Sequence, residues 1–276
     1  MKDTVILYHK DCLDGFTSAW VAWKKYKNKA TYIPVEHNSS PPEELVGKKL
    51  FFIDFCYPKD TMDTLAKKNV SITIIDHHIS AKNTIQSFND HIYSESHSGC
   101  VLAWNYFFPG KKIPRLLRHV EDIDLWKFTV PYTKEITAVL ETEPFSFNRW
   151  SILVRDMENA DQRKKYITKG KAILGYQDHV VSKIIGKSED VSFEGHRAKA
   201  VNTPILTSKV GNALVQDDAS VSIMWSKKDG KVVVSLRSDG TVDVSKLAQK
   251  HGGGGHIAAA AFAIPEGKPF PWKKIT

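Results

Sequence analysis

This chain is poor in cysteine, has no long apolar run and carries no repeated segment. Its three cysteines, Cys12, Cys56 and Cys100, are odd in number and show no metal-type pairing, which excludes a disulfide framework. Such usage fits a reducing compartment, so a cytoplasmic protein is expected. No apolar stretch reaches the roughly 20 residues of a membrane-spanning helix, and Val5 to Tyr8 is too short for a secretory leader. No internal repeat or low-complexity segment interrupts the chain. What remains is globular: 276 residues with 42% hydrophobic content predict two domains, each long enough to bury a core. The formal net charge of +8 favours anionic partners. The basic residues are dispersed, however, in doublets such as Lys24-Lys25 and Lys67-Lys68 and the triplet Arg163-Lys164-Lys165. We read this as general attraction for short polyanions, with neither a membrane nor stably bound duplex DNA as a partner.

The run Ile72-Thr73-Ile74-Ile75-Asp76-His77-His78 reads as a buried β-strand ending in a carboxylate and two imidazoles. Thr4 to Tyr8 is a second apolar run, ending at His9 and followed by Asp11 and Asp14-Gly15; Leu50 to Ile53 is a third, ending at Asp54. Taken singly, these residues have plain readings as turn formers, helix caps or solvated histidines. Together they place carboxylates and imidazoles at the same end of three predicted parallel strands, where α/β proteins build their sites. Mixed oxygen and nitrogen donors suit Mn²⁺, with Mg²⁺, Fe²⁺ or Co²⁺ as alternatives. With several carboxylates available, one can bridge two cations and set up two-metal phosphoryl chemistry.

The remaining pattern is β–α–β–β–α–β up to Asp76, then helices over Ser96 to Phe108, Pro114 to Glu121 and Asn159 to Ile185. The last of these carries a continuous apolar stripe that either links two lobes or packs against a partner subunit, so a homodimer stays open. Beyond Ser188 short strands alternate, with a hairpin predicted around Asp229-Gly230. Val242 to His251 reads as an amphipathic helix. The run Gly252-Gly253-Gly254-Gly255-His256 can turn its N–H groups toward a phosphate, with a flexible linker as the plain alternative, and a helix starting after it would add its dipole to anion binding. Arg237 stands at the end of a strand, where a lone arginine is more often simply solvated. The expected fold class is α/β: a mostly parallel N-terminal sheet flanked by helices (1–130), a helical linker (131–189) and a smaller C-terminal α/β domain (190–276), with the active site in the cleft between lobes.

The set His9…Asp14-Gly15, Asp54 and Asp76-His77-His78 resembles the DHH phosphoesterase superfamily. Ser235-Leu236-Arg237-Ser238 and the Gly252–His256 run resemble the DHH-associated C-terminal domain. The resemblance implies two divalent cations, Mn²⁺ first. His9 and Asp11 would hold one and Asp14, His77 and Asp122 the other, with Asp54 bridging them and Asp124 the runner-up to Asp122. It further implies that Asp76 orients a histidine. His78, Arg237, Gly253, Gly254, Gly255 and His256 would then hold the substrate phosphate. Asp54, Asp76, His77 and His78 form the implied catalytic set. One departure stands out: Asp11 and Asp14 are separated by Cys12 and Leu13, so either the loop bulges by one residue or Asp11 is not a ligand. Cys12 reads as a buried, inert thiol. Trp126, Tyr57 and Phe262 read as core packing rather than base-stacking platforms. The implied reaction is hydrolysis of phosphodiester bonds in short oligonucleotides, or in linear or cyclic dinucleotides, by a metal-activated water. The alternatives are a nucleotide-binding sensor with little activity, or a hydrolase of nucleoside bisphosphates, polyphosphate or pyrophosphate.

Overall fold

In a computed structural model that describes residues 2–36, 39–216 and 219–275, the chain divides into two units, Met1–Leu174 and Gly175–Thr276. The first begins β1 (Thr4–His9), α1 (Leu13–Tyr26), β2 (Ala30–Val35), β3 (Lys49–Ile53), α2 (Lys59–Lys68) and β4 (Ser71–Asp76). It continues with α3 (Lys82–Gln86), β5 (His91–Tyr93), α4 (Gly99–Phe107), α5 (Arg115–Asp124), α6 (Thr133–Leu140) and α7 (Phe147–Glu158). Helix α8 (Ala160–Ile185) spans the division between the units.

The five strands of the first unit are all parallel, in the order β2-β1-β3-β4-β5. Both faces of this sheet are covered, which explains why its strands read as unbroken apolar runs. Ile6, Phe51 and Ile75 point into a core built with Phe16, Trp20 and Trp104, whereas Val5, Leu7, Leu50, Phe52 and Ile74 point into a second core with Met62, Leu65 and Ile85. The strand order reverses between β1 and β3, where open parallel sheets leave a crevice at their carboxyl ends. The register aligns those ends: Tyr8 lies beside Ile53, and Ile53 beside Ile75. The next residues in the three chains, His9, Asp54 and Asp76, are therefore set in one row.

The segment expected to be a linker carries α6, α7 and all of α8. Ile136, Leu140, Trp150, Leu153 and Met157 are buried in the first core, and Trp150 donates its indole N–H to Thr17 of α1. The apolar periodicity of α6 and α7 is that of helices packed on α5 and α1 of the first unit.

The second unit contains β6 (Glu189–Phe193), β7 (His196–Asn202), α9 (Thr207–Gln216), β8 (Val221–Lys228), β9 (Lys231–Arg237), α10 (Val244–Lys250), β10 (Gly254–His256), β11 (Ala259–Pro265) and β12 (Trp272–Lys274). These strands form one mixed sheet, β10-β11-β9-β8-β7-β6-β12, parallel only between β7 and β8. The β8–β9 hairpin turns at Asp229 and Gly230, both at left-handed φ (51° and 71°). Val244, Leu247 and Ala248 of α10 pack on one face, and Val210 and Leu214 of α9 join a separate cluster with Met224. Among the described residues no helix is long and apolar enough to cross a membrane.

Candidate active site

The carboxyl ends of β1, β3 and β4 carry a dense cluster of acids and imidazoles. Asp54 follows β3 at φ 56°, a left-handed conformation that Asp tolerates better than most residues, and its backbone N–H still bonds Ile75 O at 2.9 Å. The bend turns its carboxylate into the row. Asp54 Oδ1 lies 3.1 Å from His77 Nε2, and Oδ2 lies 3.7 Å from His9 Nδ1. Asp76 Oδ1 accepts the backbone N–H groups of His77 (2.7 Å) and His78 (3.2 Å) and the His78 Nδ1–H (2.7 Å). The strand-end carboxylate thus sets the backbone of both histidines and fixes one ring, leaving Nε2 as the opposite edge of His78.

Asp14 lies in the first turn of α1. Its Oδ1 accepts from Ser98 Oγ (2.8 Å) and from the backbone N–H of Cys100 (3.0 Å) at the start of α4. A helix amino end therefore supports this carboxylate. Its Oδ2 faces His77 Nε2 at 4.0 Å. Gly99 lets α4 approach this closely: a Cβ there would lie 2.7 Å from Asp54 Cβ and 2.9 Å from Asp14 Oδ2. Ser98 and Gly99 were legible in the sequence only as a helix start; nothing there indicated which carboxylate the helix would face.

Three groups here could hold metal ions: His9, Cys12 and Asp54; Asp14, His77 and Asp124; and Asp54, Asp76, His77 and His78. Asp54 belongs to two of them and is 1% exposed. The buried oxygens Asp14 Oδ2, Asp54 Oδ2 and Asp76 Oδ2 have no hydrogen-bond partner. Buried carboxylate oxygens without donors are costly, and a cation is the partner that such a set fits. The electrostatics agree. Burial, then repulsion from Asp14 and Asp76, pushes the Asp54 carboxyl far above the usual range, and burial with repulsion from Asp14 raises Asp124 to about 7. Burial pulls His78 down, but its hydrogen bond to Asp76 and the charges of Asp76 and Asp54 outweigh this and raise it.

The structure brings together His9, Asp14, Asp54, Asp76, His77 and His78, but it corrects several expectations. Asp122 does not face the cluster. Its carboxylate accepts from Thr129 N (2.8 Å), Thr129 Oγ1 (2.9 Å) and Val130 N (3.2 Å), tying down the turn after α5. Two residues on, roughly 200° around the helix, Asp124 Oδ2 lies 3.5 Å from His77 Nε2. Asp11 is exposed at φ 54° and stands outside the metal-type groups, whereas Cys12, half-buried and with its thiol pushed up to about 12 by burial and then by the Asp54 charge, stands in one with His9 and Asp54. Trp126 is 64% exposed rather than core, packed edge-on against Phe128, whereas Tyr57 and Phe262 are buried as expected.

In the second unit no helix follows the glycine run. Gly254–His256 and Ala259–Pro265 pair as antiparallel strands, because Ile257 and Ala258 make a turn and the small residues after it suit close β-pairing. Gly255, at φ 147°, packs so tightly that a Cβ would lie 2.5 Å from Ala260 Cα. The run is therefore ordered strand and turn. His256 pairs with Ala259, which pairs with Arg237, so His256 and Arg237 share one face two strands apart, about 10 Å. Arg237 donates to Ser208 Oγ at 2.9 Å. Gly253 lies at the entry to β10 and Gly254 within it.

Comparison with known proteins agrees with this picture. A DHHA1 domain model matches residues 182–273. The chain is 30% identical to uncharacterized protein R106 of Acanthamoeba polyphaga mimivirus, over 98% of this chain and 70% of that protein. Its fold is similar to the DHH domain of a member of a ribosomal-protein family (TM-score 0.62, 14% identity, 94% of this chain and 82% of the other). It is also similar to PggH, a pGpG-specific phosphodiesterase from Vibrio cholerae (TM-score 0.53, 16% identity, 96% and 94%). With the Asp76-His77-His78 strand end and its surrounding acids in place, the chain belongs to the DHH phosphoesterase superfamily, and its C-terminal unit carries a DHHA1 domain.

Proposed function

We propose that the protein is a metal-dependent phosphodiesterase that hydrolyses short oligonucleotides or dinucleotides to mononucleotides. The observation that carries this reading is the convergence of Asp14, Asp54, Asp124, His9 and His77 around unpartnered buried carboxylate oxygens. When bound, two divalent cations, Mn²⁺ first, supply Lewis acidity and an activated water. Asp54 shares one group with His9 and Cys12 and another with Asp76, His77 and His78, and would help hold both cations. Asp14, His77 and Asp124 would complete one position, and His9 belongs to the other. Asp76 holds the His78 ring by Nδ1, so Nε2 is the edge that would donate to a phosphate oxygen. Arg237 and His256, with the Gly253, Gly254 and Gly255 backbone, would bind a terminal phosphate on the second unit. No serine or cysteine nucleophile is required. A dinucleotide substrate is of the class named for PggH, and the dispersed positive charge suits small anions better than long duplexes.

The test is incubation of metal-stripped protein with a 5′-phosphorylated RNA dinucleotide, with and without Mn²⁺, beside an Asp54→Asn/His77→Ala double variant. Pyrophosphate and a nucleoside bisphosphate run in parallel. Mn²⁺-dependent mononucleotide that the double variant fails to make is the expected result. Equal product from the double variant, or turnover of pyrophosphate alone, overturns the reading.

A further inference from the structure

Among the described residues, Cys12 is the soft donor in the metal-type groups at the carboxyl end of the first sheet. Its Sγ, an imidazole nitrogen of His9 and a carboxylate oxygen of Asp54 all lie within 4.8 Å of one another. We propose that Cys12 is a metal ligand, so that the two cation positions are chemically unlike: a thiolate–imidazole–carboxylate site at His9, Cys12 and Asp54, and an all oxygen–nitrogen site at Asp14, His77 and Asp124. The proposal rests on the metal-dependent reading above and deepens it.

Three observations converge. First, Asp11 and Cys12 both line the cavity beside His9 and Asp14, but only Cys12 stands within the donor group. Asp11 sits at φ 54° and is exposed, whereas Cys12 is extended (φ −118°, ψ 137°) immediately before α1 and belongs to the donor group. The extra residue between Asp11 and Asp14 is what gives the thiol this place. Second, Asp54 Oδ2, on a residue only 1% exposed, has no hydrogen-bond donor and lies 3.7 Å from His9 Nδ1. An acceptor-only oxygen beside an imidazole, with a thiol in the same donor group, is a set that a cation would satisfy together. Third, the position is accessible. His9, Cys12, Asp14 and Asp124 line the same cavity of about 650 Å³, which is wide enough to admit a hydrated ion.

The donor set decides the metal. Typical bond lengths to Zn²⁺ are about 2.3 Å from sulfur and about 2.0–2.2 Å from nitrogen or oxygen, which is compatible with donors this close together. Thiolate favours Zn²⁺, Co²⁺ and Fe²⁺ over Mn²⁺ and Mg²⁺, while carboxylate and imidazole accept the harder ions. On binding, a metal–sulfur bond forms, the S–H bond breaks heterolytically and the proton passes to solvent; no oxidant is needed. The first position thus favours a softer ion and the second Mn²⁺, while Mn²⁺ supplied alone can fill both.

Metal-stripped protein titrated with Co²⁺ tests this directly. Wild type and a Cys56→Ser control are expected to show a near-ultraviolet thiolate-to-cobalt charge-transfer band. Cys12→Ser and Cys12→Asp are expected to lose the band while still binding Co²⁺ at the second position. Loss of a mere partner of a metal ligand costs roughly 10–100-fold in affinity. In Zn²⁺/Mn²⁺ competition, Cys12→Asp should therefore shift the preference toward Mn²⁺ by at least about tenfold. Stoichiometric Co²⁺ binding by wild type without the band, or a band that persists in Cys12→Ser, overturns the proposal and leaves the metal-dependent reading intact. Failure of wild type to bind Co²⁺ at all overturns both.

Discussion

Asp54→Asn separates what the fold needs from what the chemistry needs, because its two effects have opposite signs. Asn is the appropriate substitution: the residue sits at φ 56°, where Asn is well tolerated. In chelator, wild type carries a buried carboxyl whose Oδ2 lacks a donor and which is repelled by Asp14 and Asp76. Asn keeps a buried polar group but removes the charge that burial and repulsion from Asp14 and Asp76 disfavour, so the metal-free variant should be at least as stable as wild type. With metal the order reverses. At a cation concentration of 100 times Kd, wild type gains about 2.7 kcal/mol, which is roughly a 5–10 °C rise in melting temperature for a unit of this size. The variant loses the bridging oxygen and, with it, most of that rise. Thermal unfolding followed by tryptophan fluorescence reads this unit well, since five of the seven tryptophans (Trp20, Trp23, Trp104, Trp126 and Trp150) lie in it. A variant clearly less stable than wild type in chelator, or one with an undiminished Mn²⁺-induced shift, would refute the reasoning.

Gly99→Ala places a methyl 2.7 Å from Asp54 Cβ, and overpacking of this kind costs about 1–3 kcal/mol. It should weaken metal binding by calorimetry more than it lowers the melting temperature of the metal-free protein; unchanged binding would show that α4 does not set the carboxylates. Asp124→Asn should reduce cation affinity with little loss of stability. Asp122→Asn should do the reverse, because Asp122 anchors Thr129 and Val130, and measuring both quantities in both variants distinguishes them. Burial holds His119, only 4% exposed, neutral and lowers it from 6.5 to about 4. The unfolded chain then binds the extra proton first, so stability is complete above about pH 6.5 and is lost as pH falls from there toward 4, by on the order of 3 kcal/mol. Urea unfolding between these limits should be flatter for His119→Gln; identical slopes would count against it.

Much of the site was legible because its residues mark strand ends. Hydrophobic runs that stop at His9, Asp54 and Asp76 signal buried strands, and parallel strands bring such ends together. The same local logic found the Asp229-Gly230 hairpin and the helix before the glycine run. It failed where orientation depends on the turn of an element. Asp122 and Asp124 look alike in sequence, yet one caps a turn and the other reaches His77. It failed again at the glycine run, where antiparallel pairing with β11 took residues that also suit a helix start.

Local chemistry alone thus determined the sheet-forming segments and the acid-and-imidazole composition of the site, because strand periodicity and strand-end residues are properties of short windows; the phosphoesterase family entered as a resemblance carried by those motifs. Only the tertiary structure decided that Cys12 rather than Asp11 faces Asp54, that Asp124 rather than Asp122 joins His77, and that Gly99 admits α4 against Asp14. Each of these depends on backbone dihedrals and on the approach of an element distant in sequence, and a difference of one residue in a loop or two along a helix reverses the direction of a side chain.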